Sequence, residues 1–189
     1  MIYQYNSVSF REPRMEDAAF LQKFLTESAD TQRCLGGWVG ELTTLEAEQE
    51  YLRGKISGSR NEHYFAILDC EDRLIGSCSI FDWDARCQKC TIGIFIADPE
   101  ARGKGCGSDA IELLLLIAFT ELNCKKVKLS VYDYNKAAIH LYEKKGFVCE
   151  GTLHKETFTA GNRHDEHLYA LFYEDWLERV RREGRKEKI

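Results

Sequence analysis

Apolar and polar positions alternate over Val8–Arg11 and Pro13 follows, so the pattern predicts a short first strand that proline ends. Ala18, Phe20, Leu21, Phe24 and Leu25 then recur at helical spacing, which predicts a helix over Met15–Ser28. A second helix is expected over Leu45–Ile56, with Thr43 or Thr44 as its N-cap, Glu46 as capping-box partner of Thr43, and an acidic outer face. Between the helices, Cys34-Leu-Gly-Gly-Trp38 suits either a cover over a site or a plain turn. His63–Ile67, Leu74–Phe81 and Thr91–Ile96 read as a meander of antiparallel strands, joined through Asp69–Arg73 and Asp82–Lys89. Beyond Asp98-Pro99 and a glycine cluster, the pattern predicts a strongly apolar helix over Gly107–Leu122, a strand over Lys126–Tyr132, and a helix over Lys136–Lys145 that Gly146 stops. Two closing strands, Phe147–Phe158 and Arg163–Phe172, flank the turn Thr159-Ala-Gly-Asn162, and a last amphipathic helix starts near Glu174. With no internal repeat and no linker, this is one mixed α+β domain.

Composition narrows the class. The chain has 189 residues, 44% of them hydrophobic, and only 2 Pro, enough to bury a core and too short for two ordinary domains. Its longest apolar stretch, Ile111–Phe119, is interrupted by Glu112 and is too short to cross about 30 Å of hydrocarbon, so no membrane span is expected. The 8 Cys are scattered and the first residues lack a basic-then-apolar leader pattern, which predicts reduced thiols and a cytoplasmic setting. The formal charge is −5, and Glu178–Ile189 carries six basic and three acidic residues, so the rest of the chain holds −8. That balance favours a cationic substrate and gives a nucleic-acid partner no support. The basic end, Arg179–Lys188, offers itself to an acidic partner, but its interleaved glutamates fit a solvated helix end better.

The segment Asp98-Pro-Glu-Ala-Arg102-Gly-Lys-Gly-Cys-Gly107-Ser-Asp follows a strand and opens a helix. Free N–H groups at a helix start, with the positive end of its dipole, make an anion site, and glycines let that backbone come close to phosphate. No G-x-x-x-x-G-K-[ST] string exists here, which excludes a P-loop. Gly103, Gly105 and Gly107 give G-x-G-x-G rather than G-x-G-x-x-G, after a meander rather than in a parallel β-α-β unit. A nicotinamide oxidoreductase is therefore a weak rival, although Asp133 sits where a ribose contact would be sought.

What the spacing does match is [QR]-x-x-G-x-[GA], as Arg102-Gly-Lys-Gly105-Cys-Gly107. A second block, Asn135-Lys-Ala-Ala-Ile-His-Leu-Tyr142-Glu-Lys-Lys-Gly-Phe147 followed by Glu150-Gly151, fits N-x-x-A-x-x-x-Y-x-x-x-G-F. In both blocks the chain resembles the GNAT superfamily of acetyl-CoA-dependent N-acetyltransferases, and Gly161-Asn-Arg-His-Asp165 is most similar to the branch with ribosomal-protein and spermidine acetyltransferases. The resemblance runs from Val8 to about Trp176. It implies an α+β GNAT fold with a mixed, mostly antiparallel sheet of about seven strands flanked by helices. It further implies one domain over residues 1–189, with a core over about 8–176 and a charged tail over 177–189. Acetyl-CoA as co-substrate and an amine acceptor are the partners it implies; a homodimer is compatible with it, and neither membrane nor nucleic acid is called for.

The resemblance also distributes roles. The backbone of Phe95, Ile96 and Ala97 would lie beside the pantetheine arm, while Arg102, Gly103, Lys104, Gly105, Cys106, Gly107 and Ser108 would wrap the pyrophosphate mainly through main-chain donors. Asn135 and Tyr142 would line the other side, with Tyr142 as general acid toward the CoA sulfur. A free phenol near pKa 10 facing a thiol near 8.5 makes full proton donation uphill by about 2 kcal/mol, so a hydrogen bond to the thiolate is the gentler version of that role. Many relatives carry a Glu two residues before the glycine of the preceding strand; here that position is Thr91, which cannot take a proton at neutral pH. Glu41, Asp82, Asp84, Glu150, Asp165 or a water chain remain as candidate bases, and Thr91 also leaves a non-catalytic acyl-CoA sensor as an alternative. Glu41, Glu46, Glu48 and Glu50 crowd the second helix, where the resembling family places its acceptor cleft.

Two residue sets stay outside this scheme. Cys87-Gln-Lys-Cys90 is a single C-x-x-C with no second pair, read as a hairpin turn rather than a zinc site, and no metal is expected. His154, His164 and His167 fall on the closing strands, with His164 and His167 on opposite faces; they read as strand polar residues, and His164 is kept as a candidate substrate-side contact.

Overall fold

Proline, glycine and capping side chains set most element ends in the computed structural model, which describes residues 3–27, 29–35, 44–58 and 60–184. The strands are β1 Tyr3–Tyr5, β2 Val8–Arg11, β3 His63–Leu68, β4 Leu74–Asp84, β5 Lys89–Ile96, β6 Lys126–Tyr132, β7 Val148–Thr159 and β8 Asn162–Phe172. The helices are α1 Asp17–Glu27, α2 Ala29–Cys34, α3 Leu45–Ser57, α4 Cys106–Leu116, α5 Lys136–Lys144 and α6 Tyr173–Arg182. Among the described residues eight strands, one more than expected, form a sheet in the order β1-β2-β3-β4-β5-β6-β8-β7. The extra one is β1, which pairs Tyr3–Tyr5 with Val8–Phe10. Pairing is antiparallel for β1–β2, β2–β3, β3–β4, β6–β8 and β7–β8, and parallel for β5–β6, where Lys89–Thr91 meets Lys126–Lys128.

The chain divides into two compact units, residues 1–81 with 93–113 and residues 82–92 with 114–189. In the first, Phe10, Leu21, Leu52, Ile67, Ile75 and Ile80 are fully buried. Asp17 fixes the passage from β2 into α1: it accepts the Arg11 guanidinium at 2.7 and 2.8 Å and the Arg14 amide at 2.8 Å. Thr44 caps α3 by accepting the Ala47 amide at 3.1 Å, as one of the two expected caps. The expected Thr43–Glu46 capping box involves Thr43, which lies outside the described residues, as do Gly36, Gly37 and Trp38 of the expected loop.

In the second unit Leu114, Leu115, Val127, Leu171 and Trp176 form the core, with the Phe119 and Trp176 rings 5.2 Å apart. The expected Gly107–Leu122 helix breaks in character: α4 stops at Leu116 and a π-helical turn, Ile117–Glu121, closes it through Leu122 N–H to Ile117 O at 3.0 Å. Asn135 caps α5 by accepting the Ala138 amide at 3.2 Å, and Gly146, at φ +89°, ends it. The β7–β8 turn has φ +50° at Ala160 and +79° at Gly161, the paired positive dihedrals that match strand twist in a two-residue hairpin.

Candidate active site

The expected anion loop belongs to the first unit and is built from backbone. β5 ends at Ile96, and Asp98 caps a single 3₁₀ turn over Pro99–Ala101 by accepting the Glu100 amide at 2.9 Å. Gly103 and Gly105 then take φ +72° and +94°, a region that side-chain-bearing residues rarely enter. The first α-helical bond of α4 at this end is Asp109 N–H to Gly105 O at 3.0 Å, so the amides of Cys106, Gly107 and Ser108 precede it and have no carbonyl within the helix to donate to. A Cβ at residue 103 or 105 would meet nothing within 4 Å. The space over the loop is open, and the dihedral angle alone demands glycine. Gly107 lies inside α4 with ordinary helical sign, so of the three glycines it is the least constrained. Cys106 turns inward and is 8% exposed, while Lys104 is exposed, in keeping with main chain as the donor surface.

Arg102 does something the motif does not reveal. Its guanidinium donates to Ile96 O at 2.9 Å, to Ala97 O at 3.2 Å and to Thr31 Oγ1 at 3.3 Å, bracing the loop against the end of β5 and against α2. Ala97 N–H is also engaged, at 2.8 Å from Ile75 O. Asp109, in the first turn of α4, accepts Ser7 Oγ at 2.7 Å and Asn6 Nδ2 at 3.2 Å, anchoring the helix start to the β1–β2 turn. Gly76, which sequence reasoning did not single out, faces Phe95: a Cβ there would sit 2.0 Å from Phe95 O. β4 can approach this part of β5 so closely only without a side chain.

The same unit holds a cavity of about 320 Å³. Leu21 and Leu25 of α1, Glu48 and Tyr51 of α3, Tyr64 of β3, Ser77–Ser79 of β4 and Gly93–Phe95 of β5 form its wall. Glu48 is 5% exposed, and burial raises its carboxyl above the usual range. Burial likewise raises the phenols of Tyr51 and Tyr64, the second despite a hydrogen bond with Ser77. Lys55 pairs with Glu62 at 2.5 Å and lies over the Tyr51 ring, 4.9 Å from its centroid.

In the second unit, Tyr142 of α5 is 9% exposed, with its ring edge-on to Phe147 at 5.9 Å. Burial pushes its phenol up to about 12, further from a thiol than a free tyrosine, which makes hydrogen bonding to a thiolate easier than full proton donation. Asn135 spends its side-chain oxygen on the α5 cap.

Most expected base candidates are engaged elsewhere. Asp84 accepts the amides of Cys87 and Arg86, which lower its carboxyl. Glu150 takes Lys126 on both oxygens at 2.7 Å. Asp165 accepts the Lys155 amide at 2.8 Å and pairs with His154 at 3.0 Å, and both hold it below its ordinary value. Asp82 is exposed and receives the Thr91 hydroxyl at 3.4 Å; Glu41 lies outside the described residues.

His164 pairs with Asp133 at 2.9 Å and meets the Tyr134 ring edge-on at 4.8 Å, while His167 bonds Thr152 at 3.0 Å. Cys87 is exposed in the β4–β5 turn, whereas Cys90 is buried in β5 and hydrogen-bonded with buried Cys124, which raises the Cys90 thiol. Among the described residues no group of three or more His, Cys, Asp or Glu is placed to hold a metal. No described helix is long and apolar enough to cross a membrane.

Comparison with known proteins agrees with this geometry. Residues 7–148 match the family described as Acetyltransferase (GNAT) domain. The spermidine N(1)-acetyltransferase of Vibrio cholerae is 32% identical over 150 residues, covering 79% of this chain and 86% of that protein. The putative ribosomal N-acetyltransferase YdaF of Bacillus subtilis is 26% identical over 180 residues, 93% of this chain and 95% of that one. The crystal structure of the Vibrio cholerae spermidine N-acetyltransferase in complex with CoA and spermine superposes with a TM-score of 0.79 at 28% identity, over 90% of this chain and 98% of that chain. The catalytic reading thus prevails over the sensor alternative, with CoA or acetyl-CoA as the co-substrate of the family. The chain belongs to the GNAT family and is an acetyl-CoA-dependent N-acetyltransferase.

Proposed function

We propose that this enzyme acetylates a primary amine of a small polycation, of the polyamine class, by direct transfer from acetyl-CoA in a ternary complex. The observation that carries the reading is the pairing, within one unit, of a backbone anion loop at Gly103–Ser108 with a cavity whose wall joins alkyl and aromatic surface to one buried carboxylate. The CoA pyrophosphate lies on the main-chain donors of residues 103–108 and the pantetheine arm runs along Phe95–Ala97. The bound co-substrate supplies an acetyl thioester; the protein orients it and shields it from water. Tyr142 is the proposed acid toward the departing sulfur, its hydroxyl donating a hydrogen bond there, and Asn135 caps the helix that carries it. Leu21, Leu25 and the tyrosine rings suit the methylene chain of a polyamine, and a ring face attracts its cationic end. The relatives named as spermidine acetyltransferases support the same acceptor class.

Release of free CoA thiol over a panel of spermidine, a peptide with a free N-terminus and an aminoglycoside tests this. Spermidine should give the highest kcat/KM, and that value should fall as ionic strength rises, because the −8 charge outside the tail attracts the cation through a screened field. Preference for neutral or anionic acceptors without salt dependence would refute it.

A further inference from the structure

We infer that Glu48 of α3 is the residue that accepts the proton of the acceptor amine, in place of the strand glutamate that Thr91 replaces. The inference rests on the proposed amine acetylation and identifies its missing base.

Three observations converge on this side chain. Glu48 lines the cavity together with Gly93–Phe95, and Phe95 is the first residue of the Phe95–Ala97 stretch expected to run beside the pantetheine arm. Its carboxylate has no ion-pair or hydrogen-bond partner among the described residues, in contrast to Asp84, Glu150 and Asp165. A nearly inaccessible carboxylate without a cation is costly, and such a group persists where a ligand supplies the missing charge. Among the described residues, the titratable groups that line the cavity with it are the phenols of Tyr51 on α3 and Tyr64 on β3 and the thiol of Cys78 on β4. All three are raised by burial and therefore neutral at pH 7. The nearby cation, Lys55, is taken by Glu62. An incoming ammonium is thus the natural partner of Glu48, and desolvation makes Glu48 a better base than an exposed glutamate.

The ammonium gives one proton to a Glu48 oxygen, and the freed nitrogen pair forms the C–N bond to the acetyl carbon as the carbonyl pair moves onto oxygen. That pair returns as the C–S bond breaks, the second nitrogen proton ends on the thiolate, and Glu48 releases its proton to solvent. The products are the amide, the CoA thiol and one proton.

Glu48→Gln tests this in the full-length enzyme with the best amine of the panel. CoA affinity by isothermal titration should stay within experimental error, since the loop is unaltered, while kcat/KM near neutral pH should fall by roughly 10²–10⁴-fold. The acidic limb of the wild-type pH–rate profile should disappear, and Glu48→Asp, which keeps a carboxylate on a shorter arm, should recover part of the rate. Thermal stability should move the other way. Folding raises the Glu48 carboxyl, so the stability it contributes is present at low pH and lost as pH rises through the folded value. The neutral Gln should therefore raise Tm at pH 7. A merely structural Glu48 would lower activity and Tm together and leave the acidic limb in place, which would overturn the inference, as would unchanged kcat/KM. If no amine is acetylated by the wild-type enzyme, the functional reading fails first, a result distinct from either.

Discussion

The glycine loop before α4 and the Glu48 cavity occupy the same unit, yet they are made from different parts of the chain. The loop is contiguous, from Arg102 to Ser108, and its proposed donor surface is main chain whose shape depends on two positive dihedrals. The cavity draws on positions from Leu21 to Phe95, across helices and strands, and its chemistry is carried by side chains. An anion held by amides needs no particular residue beyond those that permit the backbone path. A cation in an apolar cavity needs one charge in one place, surrounded by groups that stay neutral. The loop should therefore be sensitive to backbone conformation and, apart from the Arg102 brace, indifferent to side chains, whereas the cavity depends on its side chains.

Gly105→Val strikes the loop hardest. A β-branched residue at φ +94° is strained, and relief of that strain redirects the amides, so CoA affinity should drop by at least about 100-fold by isothermal titration. Lys104→Ala, one residue away, removes only an exposed charge worth at most about 1 kcal/mol, so affinity should fall no more than about fivefold. Equal losses in the two variants would break the contrast. Tyr142→Phe comes next: kcat should decrease by roughly 10–10³-fold with CoA affinity retained, the range from a lost hydrogen bond to a lost general acid. Full activity in steady-state kinetics would return Tyr142 to a packing role against Phe147. The smallest effect is at the start of α3, where Thr44→Ala removes the cap and should cost about 1 kcal/mol, or roughly 2–4 °C in Tm by calorimetry, without weakening CoA. A loss of CoA affinity there would show that the two regions are coupled.

Much of this architecture is legible in the chain because its cues are local. β2 and β6 have the bounds that alternation predicts, and Gly146 ends α5 where the helical pattern stops. β1 escaped because three residues hold too little alternation to register, and its pairing depends on β2. The π turn at Ile117–Glu121 escaped because its apolar residues continue the α4 pattern, while the change is in which carbonyl each amide reaches. The loop was readable as a candidate site; the inward use of the Arg102 guanidinium on Ile96 O and Ala97 O was not.

The proposed base shows the boundary most clearly. Thr91 is visible in the sequence as a departure, and the candidate carboxylates it leaves behind are equivalent there, since each is simply an acidic residue. Folding makes them unequal by giving Asp84 two amides, Glu150 a lysine and Asp165 an amide and a histidine. Glu48, one of four acidic residues crowding the second helix, differs from its neighbours only because α1, β3, β4 and β5 close around it. Most of the elements, the position of the candidate anion loop and the family were legible from the sequence, because all of these depend on residues close in the chain. Only the fold distinguishes Glu48 as a buried carboxylate without a partner among the described residues, because desolvation and pairing are set by atoms brought together from distant segments.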